Sequence, residues 1–125
     1  MNVVDSSAWL EYFAAGLNAD AFAGAIEATG DLVVPTVCVY EVFKRVLQQR
    51  GEGDALQAVA LMQQGSVVEL TAPIALEAAR TSVALGIPMA DSIILTTARA
   101  CQATLWTQDS HFAEIDGVEY IPKSV

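Results

Sequence analysis

The chain has 125 residues, a length typical of one domain with a substantial hydrophobic core. Its 15 acidic and 6 basic residues give a net charge of -9, which taken alone argues against a nucleic-acid-binding protein. Hydrophobic residues make up 54% of the chain, which indicates an apolar interior and an apolar surface for a partner. The longest uncharged run, residues 55–68, has 14 residues, fewer than the ~18 that span a membrane, so we expect no membrane-spanning segment.

Three further features of the sequence narrow the class of protein: its cysteines, its histidine and its N-terminal residues. Cys38 and Cys101 lie in apolar, helical contexts without a Cys-x-x-Cys spacing, which predicts packed thiols rather than a disulfide or zinc ligands. The chain has one histidine, His111, so a His-rich zinc or iron site is excluded. The first residues carry no basic segment of the kind that opens a signal peptide, so we expect a cytoplasmic protein.

Helices alternate with short strands in the first half of the chain. The strand over residues 1–4 ends at Asp5, and Ser6 or Ser7 suits the N-cap of the helix that follows. A second strand is continuously apolar, as in parallel sheets, and ends at Pro35. The predicted elements here are strands at 1–4 and 32–34 and helices at 8–17, 19–28, 37–49 and 54–64.

The same alternation continues in the second half. A helix that starts at residues 71–73 ends at Gly86, which suits a left-handed C-cap. A central helix opens at Pro88, and its face with Asp91 and Ile94 is expected to point into the protein. Strands are predicted at 67–70, 103–107 and 118–121. The alternation predicts one α/β domain over residues 1–125, with a mainly parallel sheet.

Four acids stand out by position: Asp5 after the first strand, Glu41 one turn into a helix, Asp91 near a helix start and Asp109 after the fourth strand. Ligands of open α/β sheets collect beyond the carboxyl ends of strands, so these acids are candidates for one site. Two alternatives stay open: Asp5 is only a turn or cap residue, and Glu41 only pairs with Lys44 or Arg45 along its helix.

Clustered carboxylates repel one another, and a hard divalent ion such as Mg²⁺ or Mn²⁺ relieves that repulsion. Bound metal can activate a water and orient a phosphodiester for hydrolysis. The chain has no Walker-type loop, no Gly-x-Gly-x-x-Gly and no usable Ser-His-Asp set. The residues therefore favour metal-dependent hydrolysis of a phosphodiester bond.

The spacing of four segments resembles that of PIN-domain proteins, and in particular of VapC-type toxin ribonucleases from toxin–antitoxin pairs. The segments are residues 3–7 (VVDSS), 35–42 (PTVCVYEV), 88–94 (PMADSII) and 106–112 (WTQDSHF). The resemblance implies a PIN-like three-layer sandwich, in which helices flank a short, mainly parallel central sheet of four or five strands.

The same resemblance implies a function, a site and partners. It implies a Mg²⁺-dependent endoribonuclease, with Mn²⁺ as the possible substitute, and a small antitoxin as the cognate partner. Asp5, Glu41, Asp91 and Asp109 would form the catalytic metal site, with Ser7 and Thr107 in support. The chain would form a homodimer or a toxin–antitoxin hetero-oligomer, act on RNA and have no membrane partner.

Two other functions compete with this interpretation. A degenerate PIN domain that only binds would fit the acidic surface, but it has no need to keep four mutually repelling carboxylates. An aspartyl-phosphate enzyme with Asp5 as nucleophile needs another acid two residues on or a suitably placed Lys, and Ser7 and Lys123 fit neither requirement.

Two groups of side chains each have both a functional and a structural interpretation. Lys44, Arg45 and Arg50 form either a basic rim near the acids or ordinary solvated helix charges. The aromatic residues of the first helix, such as Phe13, are read first as core and second as part of a groove for a partner helix.

Overall fold

Five short strands form a single parallel sheet in the computed structural model, which describes residues 1–123. The strand order is β3-β2-β1-β4-β5, and every neighbouring pair runs parallel. The parallel α/β architecture predicted from the alternation of elements is confirmed. The strands are β1 Asn2–Val4, β2 Leu32–Pro35, β3 Ser66–Val68, β4 Thr104–Thr107 and β5 Val118–Tyr120.

Six α-helices flank the sheet over the described residues, together with two 3₁₀ turns at Thr29–Asp31 and Ser110–Phe112. Thr71 caps the fifth helix through its side chain, and Gly86 ends it in the left-handed conformation (φ 67°), as predicted. The helices are α1 Ser6–Phe13, α2 Ala19–Glu27, α3 Thr36–Arg50, α4 Glu52–Met62, α5 Ala72–Leu85 and α6 Met89–Ala100.

The first helix differs from its prediction at both ends. Asp5, rather than Ser6 or Ser7, is the N-cap, and its carboxylate accepts a hydrogen bond from the backbone N–H of Ser7. The helix ends at Phe13 and not near residue 17, because Ala15 adopts a left-handed conformation (φ 52°) that a helix cannot continue through. Asp5 is therefore a cap residue, but its side chain also makes contacts outside its own turn.

Helix α6 lies in the centre of the core. Ile94 is fully buried, and all residues from 92 to 98 are buried, so the interior surrounds more than the predicted face. The hydroxyls of Ser92 and Thr97 donate to the carbonyl groups of Met89 and Ile93 within the helix, which allows polar side chains at buried positions. Packing thus holds α6 on most sides from residue 92 to residue 98, directly after the first turn that carries Asp91.

Both cysteines are free thiols, as predicted: Cys38 is buried and Cys101 is half-buried. No single helix in residues 1–123 is long and apolar enough to cross a membrane. Helices α5 and α6 together satisfy the length and composition test for a span, but they meet at a bend of 115°.

The order of the strands creates a crevice between β1 and β4. From β1 the chain proceeds to β2 and β3 on one side, and it returns to place β4 and β5 on the other side. Val4 pairs with Trp106, and the backbone N–H of Asp5 donates to the carbonyl oxygen of Trp106 at 2.9 Å. The carboxyl ends of two adjacent strands with diverging connections are where ligands bind in open α/β sheets.

Candidate metal centre

All four acids predicted from their positions line one cleft, of about 710 Å³, at the carboxyl edge of the sheet. They come from four separate parts of the chain: Asp5 caps α1, Glu41 lies on α3, Asp91 lies in the first turn of α6, and Asp109 follows β4. Long-range folding therefore brings together residues that are as much as a hundred positions apart in sequence.

Asp5 is the most buried of the four acids, with 3% of its surface exposed. Its Oδ2 atom accepts hydrogen bonds from the hydroxyl of Ser7 at 2.6 Å and from the hydroxyl of Thr107 at 2.9 Å. Burial raises the pKa of Asp5, the hydrogen bonds from Ser7 and Thr107 lower it, and the charge of Asp109 raises it. No hydrogen bond from the described residues ends on Oδ1 of Asp5, which leaves this oxygen available to a ligand.

Thr107 connects two of the acids. Its hydroxyl donates to Asp5 and accepts the backbone N–H of Asp109, each at 2.9 Å. Since a hydroxyl has one proton and that proton goes to Asp5, the two bonds define its orientation. The side chain is fully buried. Ser7 and Thr107, the two supporting positions implied by the family resemblance, are thus both in direct contact with Asp5.

Glu41 is held by a neighbour that the sequence analysis did not select. The hydroxyl of Ser6 donates to Oε1 of Glu41 at 2.7 Å, across 35 positions of sequence. The alternative in which Glu41 pairs with Lys44 or Arg45 is wrong, because neither cation forms a salt bridge with it among the described residues. Burial raises the pKa of Glu41, the bond from Ser6 lowers it, and the charges of Asp5 and Asp109 raise it.

Asp91 and Asp109 share a contact with His111. Nδ1 of His111 lies 2.8 Å from Oδ2 of Asp91 and 3.3 Å from Oδ1 of Asp109. The pKa of Asp91 is raised to about 6, mainly because the side chain is partly buried. The hydrogen bond with His111 lowers this pKa, and the charges of Asp109 and Asp5 raise it further. The pKa of His111 is raised, first by its hydrogen bond with Asp91 and then by the charge of Asp109. His111 had no role assigned from sequence.

The donor atoms fit a divalent cation. One ligand atom each from Asp91, Asp109 and His111 lies within 4.8 Å of the others. Asp5 offers an unoccupied Oδ1, and Glu41 faces the same cleft. A site built mainly of carboxylate oxygens is the kind that Mg²⁺ and Mn²⁺ prefer. The raised pKa values of Asp5, Glu41 and Asp91 express the burial and mutual repulsion that such an ion would relieve.

Cations also line this cleft. Lys44 and Arg45 lie along α3, and Lys123 approaches from the chain terminus. Of the three basic residues expected at the rim, Arg50 lies instead in a second groove. Neither Lys123 nor Ser6 was selected as a contributor to the site: no local pattern marks Lys123, and Ser6 was considered only as a helix cap. Proximity in the fold identifies both.

The second groove has a volume of about 280 Å³ and lies between α1, α3 and α4. Trp9 is fully buried and Phe13 packs against the core, which confirms the core interpretation of the first-helix aromatic residues, while Phe13 also lines the groove. Phe13 stacks on Trp9 with ring centroids 5.6 Å apart, which holds it in place. The apolar lining consists of Leu10, Phe13, Ala14, Val46, Ala58 and Leu61.

The fold and the acidic cleft together are those of a PIN domain. The family model for the PIN domain matches residues 3–118, nearly the whole chain, and the protein belongs to this family. No curated protein matches the chain significantly.

Solved structures with this fold include toxins of VapBC systems. A toxin–antitoxin complex from Klebsiella pneumoniae aligns with a TM-score of 0.81 and 18% identity, covering 100% of both chains. Mycobacterium tuberculosis VapC20, a toxin that cleaves the sarcin-ricin loop, aligns with a TM-score of 0.80 and 18% identity over 98% of this chain and 100% of that one. PAE2754 from Pyrobaculum aerophilum aligns with a TM-score of 0.74 and 21% identity, over 95% and 87%.

Proposed function

We propose that the chain is a metal-dependent endoribonuclease and the toxin component of a VapBC-type toxin–antitoxin module. The observation that carries the proposal is the convergence of Asp5, Glu41, Asp91 and Asp109 on one cleft, in a fold shared with VapC toxins. The similarity to a toxin that cleaves the sarcin-ricin loop supports RNA as the substrate class. An aspartyl-phosphate mechanism is disfavoured because the position two residues after Asp5 holds Ser7, whose hydroxyl donates to Asp5, and not a second acid.

The residues of the chain have distinct tasks in this proposal. Asp5, Asp91, Asp109 and Glu41 would hold Mg²⁺, or Mn²⁺ in its place. When bound, the ion supplies Lewis-acid chemistry, because it lowers the pKa of water and screens the negative charge of the phosphodiester. Ser7 and Thr107 hold Asp5 so that Oδ1 points away from their hydroxyls, and Ser6 holds Glu41.

The partners follow from the same module. We propose that a small antitoxin docks an amphipathic helical segment in the groove between α1, α3 and α4, where the apolar lining is accessible at the surface. Solved relatives include toxin–antitoxin complexes, some of them bound to DNA. The assembly is a homodimer or a toxin–antitoxin hetero-oligomer, and its compartment is the cytoplasm, where its RNA substrate is found.

Two measurements on one set of variants test the function. With Mg²⁺, the wild-type protein is expected to cleave members of a mixed RNA pool, and chelator is expected to abolish cleavage. Asp91→Asn and Asp109→Asn should each reduce cleavage by at least ~10²-fold, the effect of losing one preorganised electrostatic group. Millimolar Mn²⁺ should raise the melting temperature of the wild type, because a ligand that binds only the folded state stabilises it.

The matched control is Asp20→Asn, an exposed aspartate on α2 outside the cleft, which should cleave and respond to Mn²⁺ as the wild type does. RNA cleavage that survives in chelator or in Asp91→Asn would overturn the metal-nuclease proposal. If no RNA in the pool is cleaved, arrest of growth on expression, absent with Asp91→Asn, replaces the cleavage readout.

A further inference from the structure

We propose that one face of α3, formed by Tyr40, Lys44 and Arg45, binds a nucleotide beside the acidic site: the ring of Tyr40 stacks on its base, and the two cations contact the backbone phosphates. We call these three residues the α3 ledge. The inference rests on the proposed function, because it names the residues that hold an RNA strand at the acids.

The spacing along α3 places the ledge next to the metal centre. The residues of α3 that line the acidic cleft recur at helical spacing and present a single face. Lys44 and Arg45 lie about one turn beyond Glu41, or ~5.4 Å along the helix axis. A phosphate next to the one at the acids would therefore meet positive charge. The cleft-lining residues of this face are Tyr40, Glu41, Lys44, Arg45, Gln48 and Gln49.

The distribution of positive charge supports an anionic strand in this cleft. Lys44, Arg45 and Lys123 are three of only six basic residues in a chain with a net charge of -9. None of the three forms a salt bridge with a carboxylate among the described residues, whereas Arg80 pairs with Glu77 on a different surface. Arg50 and Arg99 line other grooves, so half of the basic residues of the chain face the acidic cleft. Three cations in one cleft can bind a phosphate backbone there despite the overall negative charge.

Tyr40 gives the ledge its selectivity for an exposed base. Its side chain is 63% exposed and lines the cleft, although aromatic side chains are normally used in cores. The ammonium group of Lys44 lies 5.7 Å from the centroid of the ring, so an aromatic face and a cation are presented together. Aromatic rings beside cationic groups bind single-stranded nucleic acid by stacking, and a base inside a duplex cannot reach such a ring.

The apolar groove for a protein partner adjoins the acidic cleft, since Leu10, Ala14 and Gln49 line both. The three ledge residues line only the cleft. We assign the ledge to RNA because it presents unpaired positive charge and an exposed aromatic ring, and the binding test separates RNA from a partner segment that extends out of the groove.

The test measures binding separately from cleavage. In an Asp91→Asn background, which suppresses hydrolysis, fluorescence anisotropy follows an unstructured labelled RNA of about ten nucleotides and the same sequence in a duplex. Tyr40→Ala should weaken single-strand binding by about 10-fold and leave duplex binding unchanged, whereas Tyr40→Phe should retain single-strand affinity. Leu47→Ala, an exposed apolar residue of α3 outside the cleft, is the matched control and should have no effect.

The cations are tested through salt dependence. Lys44→Gln and Arg45→Gln should each reduce the slope of log K against log salt concentration by about 0.7, the value for one phosphate contact to a single strand. Arg80→Gln, on the surface of α5, should leave the slope unchanged. Because the ammonium group of Lys44 lies 5.7 Å from the ring of Tyr40, Arg45→Gln is the cleaner check of the charge and Tyr40→Ala of the ring.

The outcomes separate the ledge from the proposed function. If Tyr40→Ala binds single-stranded RNA as tightly as Leu47→Ala does, the ledge is wrong, even where the wild type cleaves RNA with metal. If Tyr40→Ala weakens binding of the co-encoded antitoxin but not of RNA, the ledge belongs to a protein interface and the inference is overturned. If single-strand binding depends on Tyr40 but RNA cleavage survives in chelator, the ledge stands and the metal-nuclease proposal fails.

Discussion

The hydroxyl of Thr107 donates a hydrogen bond to Oδ2 of Asp5 at 2.9 Å, across 102 positions of sequence. The parallel register of β1 and β4 makes this contact possible, since Val4 pairs with Trp106 and the next residue of each strand follows. Because the Thr107 hydroxyl also accepts a hydrogen bond from the backbone N–H of Asp109, it connects Asp5, which follows β1, with Asp109, which follows β4. Removing this buried hydroxyl would leave both the Asp5 carboxylate and the Asp109 N–H without a hydrogen-bond partner, which lowers the free energy of unfolding.

The first prediction concerns this hydroxyl. Thr107→Val keeps the shape of the side chain but removes both hydrogen bonds, so a buried carboxylate and a backbone N–H lose a partner. We expect the free energy of unfolding to fall by about 1–3 kcal/mol. RNA cleavage should fall by about 10- to 100-fold, as for other residues that orient metal ligands. Thr107→Ser, which retains the hydroxyl, should recover most of the activity; equal losses in both variants would argue against a role for the hydroxyl.

The second prediction concerns Ser6, which positions Glu41 through a 2.7 Å hydrogen bond. In Ser6→Ala the carboxylate of Glu41 loses this restraint, so cleavage should fall by about 10-fold or more and the affinity for Mn²⁺ should weaken. Ser6→Thr should restore both quantities. Mn²⁺ titration of the melting temperature gives a readout independent of turnover. Unchanged Mn²⁺ affinity in Ser6→Ala would mean that the bond serves only the local packing.

The third prediction concerns the pH dependence of the metal-free protein. Burial raises the pKa of Asp91 from 3.8 to about 6. A carboxyl whose folded-state pKa is raised favours folding while it is protonated, and that contribution is lost as pH rises through the folded-state value. Asparagine does not ionise, so the Asp91→Asn variant keeps this contribution to stability as pH rises. In chelator, the stability of Asp91→Asn relative to the wild type should therefore increase between about pH 4 and pH 7.

Thermal or urea unfolding at a series of pH values measures this difference. Asp20→Asn, whose side chain lies at an exposed position on α2, should show no such trend. If the difference in stability between Asp91→Asn and the wild type stays constant with pH, the prediction is wrong. The charge of Asp91 then does not destabilise the metal-free protein.

The fourth prediction concerns the groove between α1, α3 and α4. Leu61 lines the groove and is 48% exposed, so Leu61→Glu should fold normally while placing a charge in the apolar lining. We expect this variant to lose the co-encoded antitoxin in pull-down and light-scattering experiments and to retain RNA cleavage. Leu76→Glu, an exposed leucine on α5, is the matched control and should keep the antitoxin. Retention of the partner by Leu61→Glu would place the interface elsewhere.

Local sequence determined much of the framework of this protein. The apolar runs at β1 and β2 predict their strands, because a strand in the middle of a parallel sheet is buried on both faces. Gly86 ends α5 as predicted, since glycine adopts the left-handed conformation without steric cost. The acids stood out for a similar reason, because a carboxylate beside a buried strand or on an apolar helix face requires a compensating partner.

Only the tertiary structure decided which side chains contact Glu41 and Asp91. Ser6 and Glu41 are 35 positions apart, and His111 and Asp91 are 20 positions apart, so no local pattern connects either pair. Local reasoning favoured Lys44 or Arg45 as the partner of Glu41 because both are one helical turn away, yet the folded chain offers a closer donor from α1. Hydrogen bonds form with whichever group packing brings within about 3 Å, and that distance depends on strand order and register rather than on neighbouring residues.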